Sequence, residues 1–242
     1  MPSLRLDECG FCGTPTWCKP RGDGRPQCRA CEIERFFEGV LYKPIGFRLL
    51  PWQRQSLRRV YGKLDPDTGR RLVRRAYREV AKKNGKSFLL GGIPHYHMLM
   101  EAEDFKQEIY GCAAAKDQAG IIFNSAASLV SRNPILQARL EVIPSKKRIS
   151  RRDGGGFYQV ISADGDLQDG IEPSVALIDE LHRWKTAKAL TLWNVVTKGT
   201  ISRLEPLVWE ITTAGTVHES IKCLDEHNYA LRVIAGEVND PR

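Results

Sequence analysis

Nowhere in the chain do about 18 or more apolar residues follow one another, which excludes a membrane-spanning helix. The N-terminus, Met1 to Leu6, is too short and too charged to be the core of a signal peptide. Internal repeats and long low-complexity tracts are absent as well, which sets aside repeat arrays and extended biased segments. Acidic charge is in the minority. The 29 Asp and Glu against 37 Lys and Arg leave a formal charge of +8, a balance that favours polyanions such as nucleic acid without establishing that one is bound. With 242 residues, 42% of them hydrophobic, the chain can bury one sizeable core plus a small accessory unit. These features predict a soluble intracellular protein with one main domain and no membrane contact.

What is there in quantity is cysteine, in a pattern. Four of the seven form two C-x-x-C pairs, Cys9 with Cys12 and Cys28 with Cys31, separated by 15 residues, the spacing of a four-thiolate zinc site. Gly10 and Gly13 suit tight turns around thiolates. The many prolines and glycines nearby, from Pro15 and Pro20 to Gly22, Gly24 and Pro26, leave little room for helix. Residues 1–31 are therefore expected to be a loop-built knuckle around a structural Zn2+, closed to catalysis. Cys18, Cys112 and Cys223 are scattered and read as small buried hydrophobes.

From Ala30 the spacing of Ile33, Phe36, Phe37, Val40 and Leu41 places apolar residues on one helical face, which Lys43-Pro44-Ile45-Gly46 ends. A second helix is predicted from Trp52 to about Tyr61. After the turn Asp65-Pro66-Asp67-Thr68-Gly69, strand-like and helix-like segments alternate, as in a mostly parallel sheet with flanking crossover helices. The apolar runs Arg74 to Val80, Glu108 to Ala114, Ser174 to Ile178 and Leu207 to Thr212 are the predicted strands. In open α/β sheets ligands bind beyond the carboxyl ends of the strands, so the loops after these runs are where chemistry is expected.

The first such loop, Val80-Ala81-Lys82-Lys83-Asn84-Gly85-Lys86-Ser87, matches the P-loop pattern at its last three positions, with Val80 where the first glycine normally stands. A strand-like run before it and the apolar Phe88-Leu89-Leu90 after it supply the required strand, loop and helix. In such a loop the backbone from Lys82 through Lys83, Asn84 and Gly85 wraps phosphate oxygens at a helix N-terminus. Lys86 neutralises β and γ charge and the Ser87 hydroxyl ligates Mg2+. The run Ser174-Val175-Ala176-Leu177-Ile178 ends abruptly in Asp179-Glu180. With a P-loop upstream, Asp179 fits the Mg2+ shell and Glu180 the orientation and deprotonation of an attacking water. Successive strand side chains face opposite ways, so only a turn beyond the strand lets both carboxylates reach one nucleotide. The last strand runs into Thr212-Thr213-Ala214-Gly215-Thr216, hydroxyls placed to sense a γ-phosphate.

Together these residues resemble the large terminase subunits of tailed bacteriophages, a family of P-loop ATPases of the additional-strand, catalytic-glutamate class. The resemblance runs from about Ile33 to Arg242. It covers Phe47-Arg48-Leu49-Leu50-Pro51-Trp52-Gln53, the phosphate loop with its missing glycine, Ala113-Ala114-Ala115-Lys116-Asp117-Gln118-Ala119, Ile178-Asp179-Glu180-Leu181-His182 with Trp184, and Thr212-Thr213-Ala214-Gly215. It implies that Gln53 contacts adenine, that Glu180 is the catalytic carboxylate, and that Thr213 and Gly215 couple hydrolysis to movement. Lys82 stands where many relatives carry a catalytic arginine and lacks the planar guanidinium fork. ATP and Mg2+ are the implied ligands, and residues 32–242 the implied motor domain, without the C-terminal nuclease that usually follows. The implied partners are double-stranded DNA, the portal protein, the small terminase subunit and further copies in a ring on the portal. The implied location is the host cytoplasm, transiently at the procapsid portal, and not the mature virion.

Two basic stretches could meet DNA phosphates: Arg70, Arg71, Arg74, Arg75 and Arg78, and Lys146, Lys147, Arg148, Arg151 and Arg152, the latter with the look of a hairpin tip. Ring ATPases of this lineage complete each site with an arginine from a neighbouring subunit, for which Arg203 is the candidate. Two rival functions fit the same residues: a helicase-like or DNA-remodelling ATPase, and a zinc-dependent nucleic-acid-binding module with a vestigial nucleotide site.

Overall fold

The computed structural model describes residues 5–8, 15–20, 26–101, 106–165 and 170–240, with side chains from residue 28 onward. The chain forms two compact units, one ending at Arg74 and the other spanning Arg75–Asp240. The first unit thus takes in both the cysteine-rich arm, which composition alone separated at Cys31, and the helices that follow it.

In the first unit, β1 (Arg5–Glu8), β2 (Pro15–Pro20) and β3 (Pro26–Gln27) form a small antiparallel sheet, with Leu6 opposite Trp17 and Lys19 opposite Gln27. The arm predicted as loop is therefore partly strand, because prolines and glycines that forbid helix still permit short extended pairs. Cys28 and Cys31 are buried at the first turn of α1 (Arg29–Arg35). Cys9 and Cys12 lie outside the described residues. The helical face predicted from Ala30 is buried at Ile33, Phe36, Phe37 and Leu41, but residues Phe36–Tyr42 wind as π-helix before a 3-10 turn ends at Gly46 with φ 72°. Helix α2 (Pro51–Tyr61) starts on a proline, whose absent N–H is no loss at a first turn. Between α1 and α2 the buried Glu34 is paired with Arg54 at 2.9 Å and with Arg58. Arg71 is buried with its guanidinium 5.6 Å from the centre of the Tyr61 ring, so it serves packing rather than DNA.

The second unit is a seven-stranded sheet. Its strands are β4 (Arg75–Glu79), β5 (Gln107–Ala113), β6 (Leu140–Ile143), β7 (Arg148–Arg151), β8 (Gly156–Ser162), β9 (Val175–Asp179) and β10 (Leu207–Thr212), in the spatial order β4-β10-β9-β5-β8-β7-β6. The four strands predicted from sequence, β4, β5, β9 and β10, pair parallel, and only β7 runs antiparallel to its neighbours β6 and β8. Central parallel strands are covered on both faces, and β9 and β10 are accordingly buried along their full length. Helices α3 (Lys86–Met100) and α4 (Lys116–Ser131) cover one face. Gly91 of α3 lets them close up, since a Cβ there would lie 2.9 Å from Ser125 Oγ. The short α5 (Pro134–Arg139) leads into β6. On the other face α6 (Ala187–Gly199) and α7 (Ile221–Ile234) pack with Trp184, Leu192, Val196 and Cys223 over Tyr110, Cys112, Ala176, Ile178 and Val208. Burial pushes the Cys112 and Cys223 thiols upward, as expected of cysteines serving as hydrophobes.

Glu210, in the middle of β10, is fully buried on this second face. It accepts from Arg75 at 3.2 Å and from the Trp193 indole N–H at 2.8 Å. Arg75 reaches Glu226 of α7 at 2.5 Å, and Lys222 bonds Glu226 at 2.6 Å while its ammonium lies 3.4 Å from the centre of the Trp193 ring. Arg75, half-buried, is therefore engaged by two carboxylates of its own fold, which argues against its serving DNA. The second basic stretch is a hairpin, as predicted: Lys146 and Lys147 cap the β6–β7 turn, Lys147 with φ 45°. Arg148 stacks 3.6 Å from the centre of the Phe157 ring and Arg151 pairs with Asp153, so the exposed Lys146 leads at the tip. Arg203 precedes β10 at the amino end of the sheet and donates to the carbonyls of Glu172 at 2.6 Å and Lys106 at 3.1 Å. It clamps its own fold, an occupation at odds with donation to a neighbour.

Candidate active site

The carboxyl ends of β4, β9 and β10 meet at one place. Strand β4 stops at Glu79, and Val80 N donates to Thr212 O at 2.9 Å, which ties the start of the phosphate loop to the end of β10. The loop then turns through two residues in the left-handed region, Lys83 with φ 64° and Gly85 with φ 75°. The second explains the glycine of the motif: it is the residue from which α3 departs, and only there does glycine remove the steric cost of that conformation. Asn84 Nδ2 donates across the loop to Ala81 O at 3.3 Å and to Lys82 O at 3.4 Å. Lys82 and Lys83 are exposed, whereas Lys86 is buried. The Lys86 ammonium donates to Val80 O at 3.1 Å and Ala81 O at 3.2 Å and lies 3.6 Å from Glu180 Oε1. Ser87 follows in the first turn of α3, and its carbonyl accepts from Ser125 at 3.0 Å.

Asp179 ends β9 and is 1% exposed. Its Oδ2 accepts from Gln118 Nε2 at 2.7 Å, and its Oδ1 has no hydrogen-bond partner among the described residues. Burial, with the neighbouring Glu180 charge adding to it, pushes the Asp179 carboxyl up to about 6, although the Gln118 hydrogen bond and Lys86 pull the other way. Such a buried, half-satisfied carboxylate is costly for folding alone. It is suited to a cation or to a water held by one.

Glu180 resolves the geometric problem of adjacent carboxylates. Its backbone is left-handed, φ 50° and ψ 54°, a conformation a non-glycine residue takes at a cost of about 1 kcal/mol or more. That turn brings its side chain to the same end of the sheet as Asp179 and aims it at β10. Glu180 Oε2 accepts from Thr213 Oγ1 at 3.2 Å and Thr213 N at 3.4 Å, and His182 Nδ1 lies 3.0 Å away. His182 Nδ1 also lies 3.1 Å from Thr212 Oγ1 and 3.2 Å from Thr213 Oγ1. Burial holds the His182 ring below its ordinary value, with Glu180 opposing and Arg183, Lys82 and Lys185 acting in the same direction as burial, which favours the neutral ring. Gly215 approaches this cluster closely. A Cβ there would stand 2.6 Å from Ser220 Cβ and 3.1 Å from His182 Cβ.

The second unit thus gathers Lys86, Ser87, Asp179, Glu180, Thr213 and Gly215 at one edge of the sheet. Gln53 belongs to the first unit, where its Oε1 accepts from Leu50 N at 2.9 Å and closes the first turn of α2. Two neighbours of the carboxylates carried no assigned role in the sequence reading, Gln118 and His182. Both stand inside quoted motif segments, but nothing in their local spacing tells that one follows β5 to reach Asp179 and the other folds back on β10.

A phosphate loop between β4 and α3, faced by a carboxylate pair and threonines from adjacent parallel strands, defines a P-loop nucleoside-triphosphatase fold. Within that class the chain belongs to the family described as "Terminase large subunit, ATPase domain", whose model matches residues 51–232. It is 33% identical over 150 residues to the large terminase subunit of Enterobacteria phage HK97, a match covering 61% of this chain and 29% of that protein. Protein YmfN of Escherichia coli (strain K12) is 28% identical over 141 residues, covering 53% of this chain and 29% of its own length. Among solved structures, the HK97 large terminase superposes with a TM-score of 0.71 at 26% identity over 89% of this chain and 43% of that one. The large terminase ATPase domain of Thermus phage P74-26 shares the fold, with a TM-score of 0.53 at 17% identity over 72% of this chain and 69% of that one. The chain therefore spans 29% of the length of the curated relatives it matches.

Proposed function

We propose that this chain hydrolyses ATP to move double-stranded viral DNA into a procapsid, as the motor part of a large terminase subunit of the additional-strand, catalytic-glutamate class. One observation carries the reading: the ammonium of Lys86 and the carboxylate of Glu180 lie 3.6 Å apart at the mouth of the phosphate loop, with Asp179 buried beside them. The position of β10 between β4 and β9 supports the class, since it inserts a strand between the phosphate loop and the carboxylate pair. Lys86 leaves the loop carbonyls for the β and γ phosphates, while the backbone of Lys82, Lys83, Asn84 and Gly85 lines the phosphate path. Ser87 and Asp179 would hold Mg2+, and the unpartnered buried Oδ1 of Asp179 fits that use. When bound, the ion neutralises charge on the β and γ phosphates. Glu180 accepts a proton from the attacking water, and Thr213 and Gly215 link that carboxylate to the segment leading into α7. Gln53 is assigned to adenine, and Lys82 supplies a local positive charge without a planar fork.

Around this core the proposed partners are portal protein, small terminase subunit and further copies in a ring, in the host cytoplasm and transiently at the procapsid portal. Zn2+ is proposed for Cys9, Cys12, Cys28 and Cys31. The two buried cysteines one helical turn apart at the start of α1 fit half of a thiolate cage. Phosphate release with and without double-stranded DNA, compared with Glu180→Ala, tests the central reading. The variant should bind a fluorescent ATP analogue as the parent does and lose turnover. Retained turnover would refute the assignment, and unwinding of forked DNA by the parent chain would favour a helicase-like ATPase instead.

A further inference from the structure

Glu180 is surrounded on one side by groups that could release it and on the other by groups that hold it. Lys86 can serve either the carboxylate or an incoming phosphate, so nucleotide entering the loop draws it away from Glu180 Oε1. What then fixes the carboxylate is the cluster on Oε2, made by Thr213 and His182. The proton on His182 can be located from its neighbours. Thr212 Oγ1 donates its hydrogen to Thr213 O at 2.8 Å, and Thr213 Oγ1 donates to Glu180 Oε2, so the hydroxyls present lone pairs to the ring and the carboxylate can only accept. Nδ1 must therefore be the protonated nitrogen, donating to the threonine oxygens with Glu180 Oε2 3.0 Å away.

The backbone of the same residue leads elsewhere. His182 N donates to Thr212 Oγ1 at 3.1 Å, and its carbonyl accepts from Ser220 Oγ at 2.9 Å. Ser220 is the residue from which α7 starts, and Leu224 N of the first turn bonds back to Ser220 O at 2.9 Å. Gly215 completes the contact by bringing its backbone against both Ser220 and His182. One side chain thus touches the carboxylate and the sensor threonines, while its own peptide group anchors the start of α7.

We propose that His182 is a positioning residue that holds, through Nδ1–H, the threonine hydroxyls against which the Glu180 carboxylate rests, and ties that arrangement to the start of α7 through its carbonyl. This deepens the ATPase reading and rests on it for its catalytic half. Because the interaction orients the base rather than binding nucleotide, its loss lowers kcat and leaves KM nearly unchanged.

The test compares His182→Asn, His182→Gln and His182→Ala in the full chain. An Asn amide falls near the position of Nδ1 and can still donate to the Thr212 and Thr213 hydroxyls beside Glu180, whereas a Gln amide falls near Nε2 and cannot. A role in volume alone ranks Gln with or above Asn; the hydrogen bond ranks Asn above Gln. The expected result is a fall in kcat of about tenfold or more for Ala and Gln at near-parent KM, with Asn retaining most of the turnover. Amide hydrogen exchange of the nucleotide-free protein is read in parallel over residues 213–224. It should quicken in Ala and Gln and stay near the parent rate in Asn. Equal behaviour of Asn and Gln, or parent-like exchange and kcat in Ala, would overturn the proposal. If the parent chain itself shows no turnover, the ATPase reading fails, and the exchange comparison still decides whether His182 holds this segment.

Discussion

Replacing Asp179 by Asn should strengthen the fold while removing hydrolysis, and the stabilisation should depend on pH in a defined direction. The Asp179 carboxyl is raised from 3.8 to about 6, chiefly by burial. The folded chain therefore holds this proton more tightly than the unfolded chain, and the associated stability is fully present below the unfolded value and lost as pH rises through about 6. The whole rise corresponds to about 3 kcal/mol of cost to the ionised form. Roughly half of it, about 1.4 kcal/mol, develops between pH 5 and pH 8, and the rest lies at lower pH. An asparagine side chain in this place would not titrate and can still accept the 2.7 Å hydrogen bond that Gln118 now gives to Asp179. Whatever constant cost its amide carries, the advantage of the variant over the parent should grow on going from pH 5 to pH 8. At about 2–4 °C per kcal/mol that is a change of roughly 3–6 °C in the Tm difference. The assay is thermal unfolding of both proteins in chelator without nucleotide, at several pH values, alongside phosphate release with Mg2+. A Tm difference that stays flat from pH 5 to pH 8, or widens as pH falls, would refute the argument that an ionised Asp179 strains the nucleotide-free fold.

Three further outcomes follow from the geometry. Gly215→Ala should destabilise the second unit by about 1–3 kcal/mol in chemical denaturation, since its Cβ would fall 2.6 Å from Ser220 Cβ and overpacking of this kind forces neighbours aside. The purified chain should carry about one Zn2+, lost on Cys28→Ser or Cys31→Ser. Elemental analysis finding no zinc in protein prepared without chelator would count against the cage. Binding to double-stranded DNA should weaken steeply with salt and vary little with sequence, and charge reversal at Lys146 and Lys147 should flatten the salt slope where reversal at Arg75 would instead unfold its buried network. An unchanged slope would remove the β6–β7 hairpin from the DNA surface.

Much of the second unit was legible because its signals are local. The runs that became β9 and most of β5 and β10 are apolar, as strands covered on both faces tend to be, whereas the edge strand β4, Arg75-Ala76-Tyr77-Arg78-Glu79, was marked by its place before the phosphate loop. Gly85-Lys86-Ser87 announced a helix start, because the left-handed turn before α3 suits glycine. The same local logic misjudged the arm before Cys28, where breakers of helix were read as loop although they pair as short strands. It also left Arg75 among the candidate DNA contacts, since nothing near it in sequence reveals Glu210 and Glu226.

The sequence by itself determined which residues could do chemistry: a lysine and serine opening a helix, two carboxylates ending an apolar strand, hydroxyls ending another. These are properties of residue type and of neighbours within one turn or strand. Only the tertiary structure decided how they are held. It placed β10 between β4 and β9, turned Glu180 into the left-handed region so that both carboxylates share one edge, and brought Gln118 to Asp179 and His182 to Thr212 and Thr213. The physical reason is that these partners are joined by the lateral order of the strands. That order is set by burial summed over the whole sheet and leaves no periodic trace at any one of them.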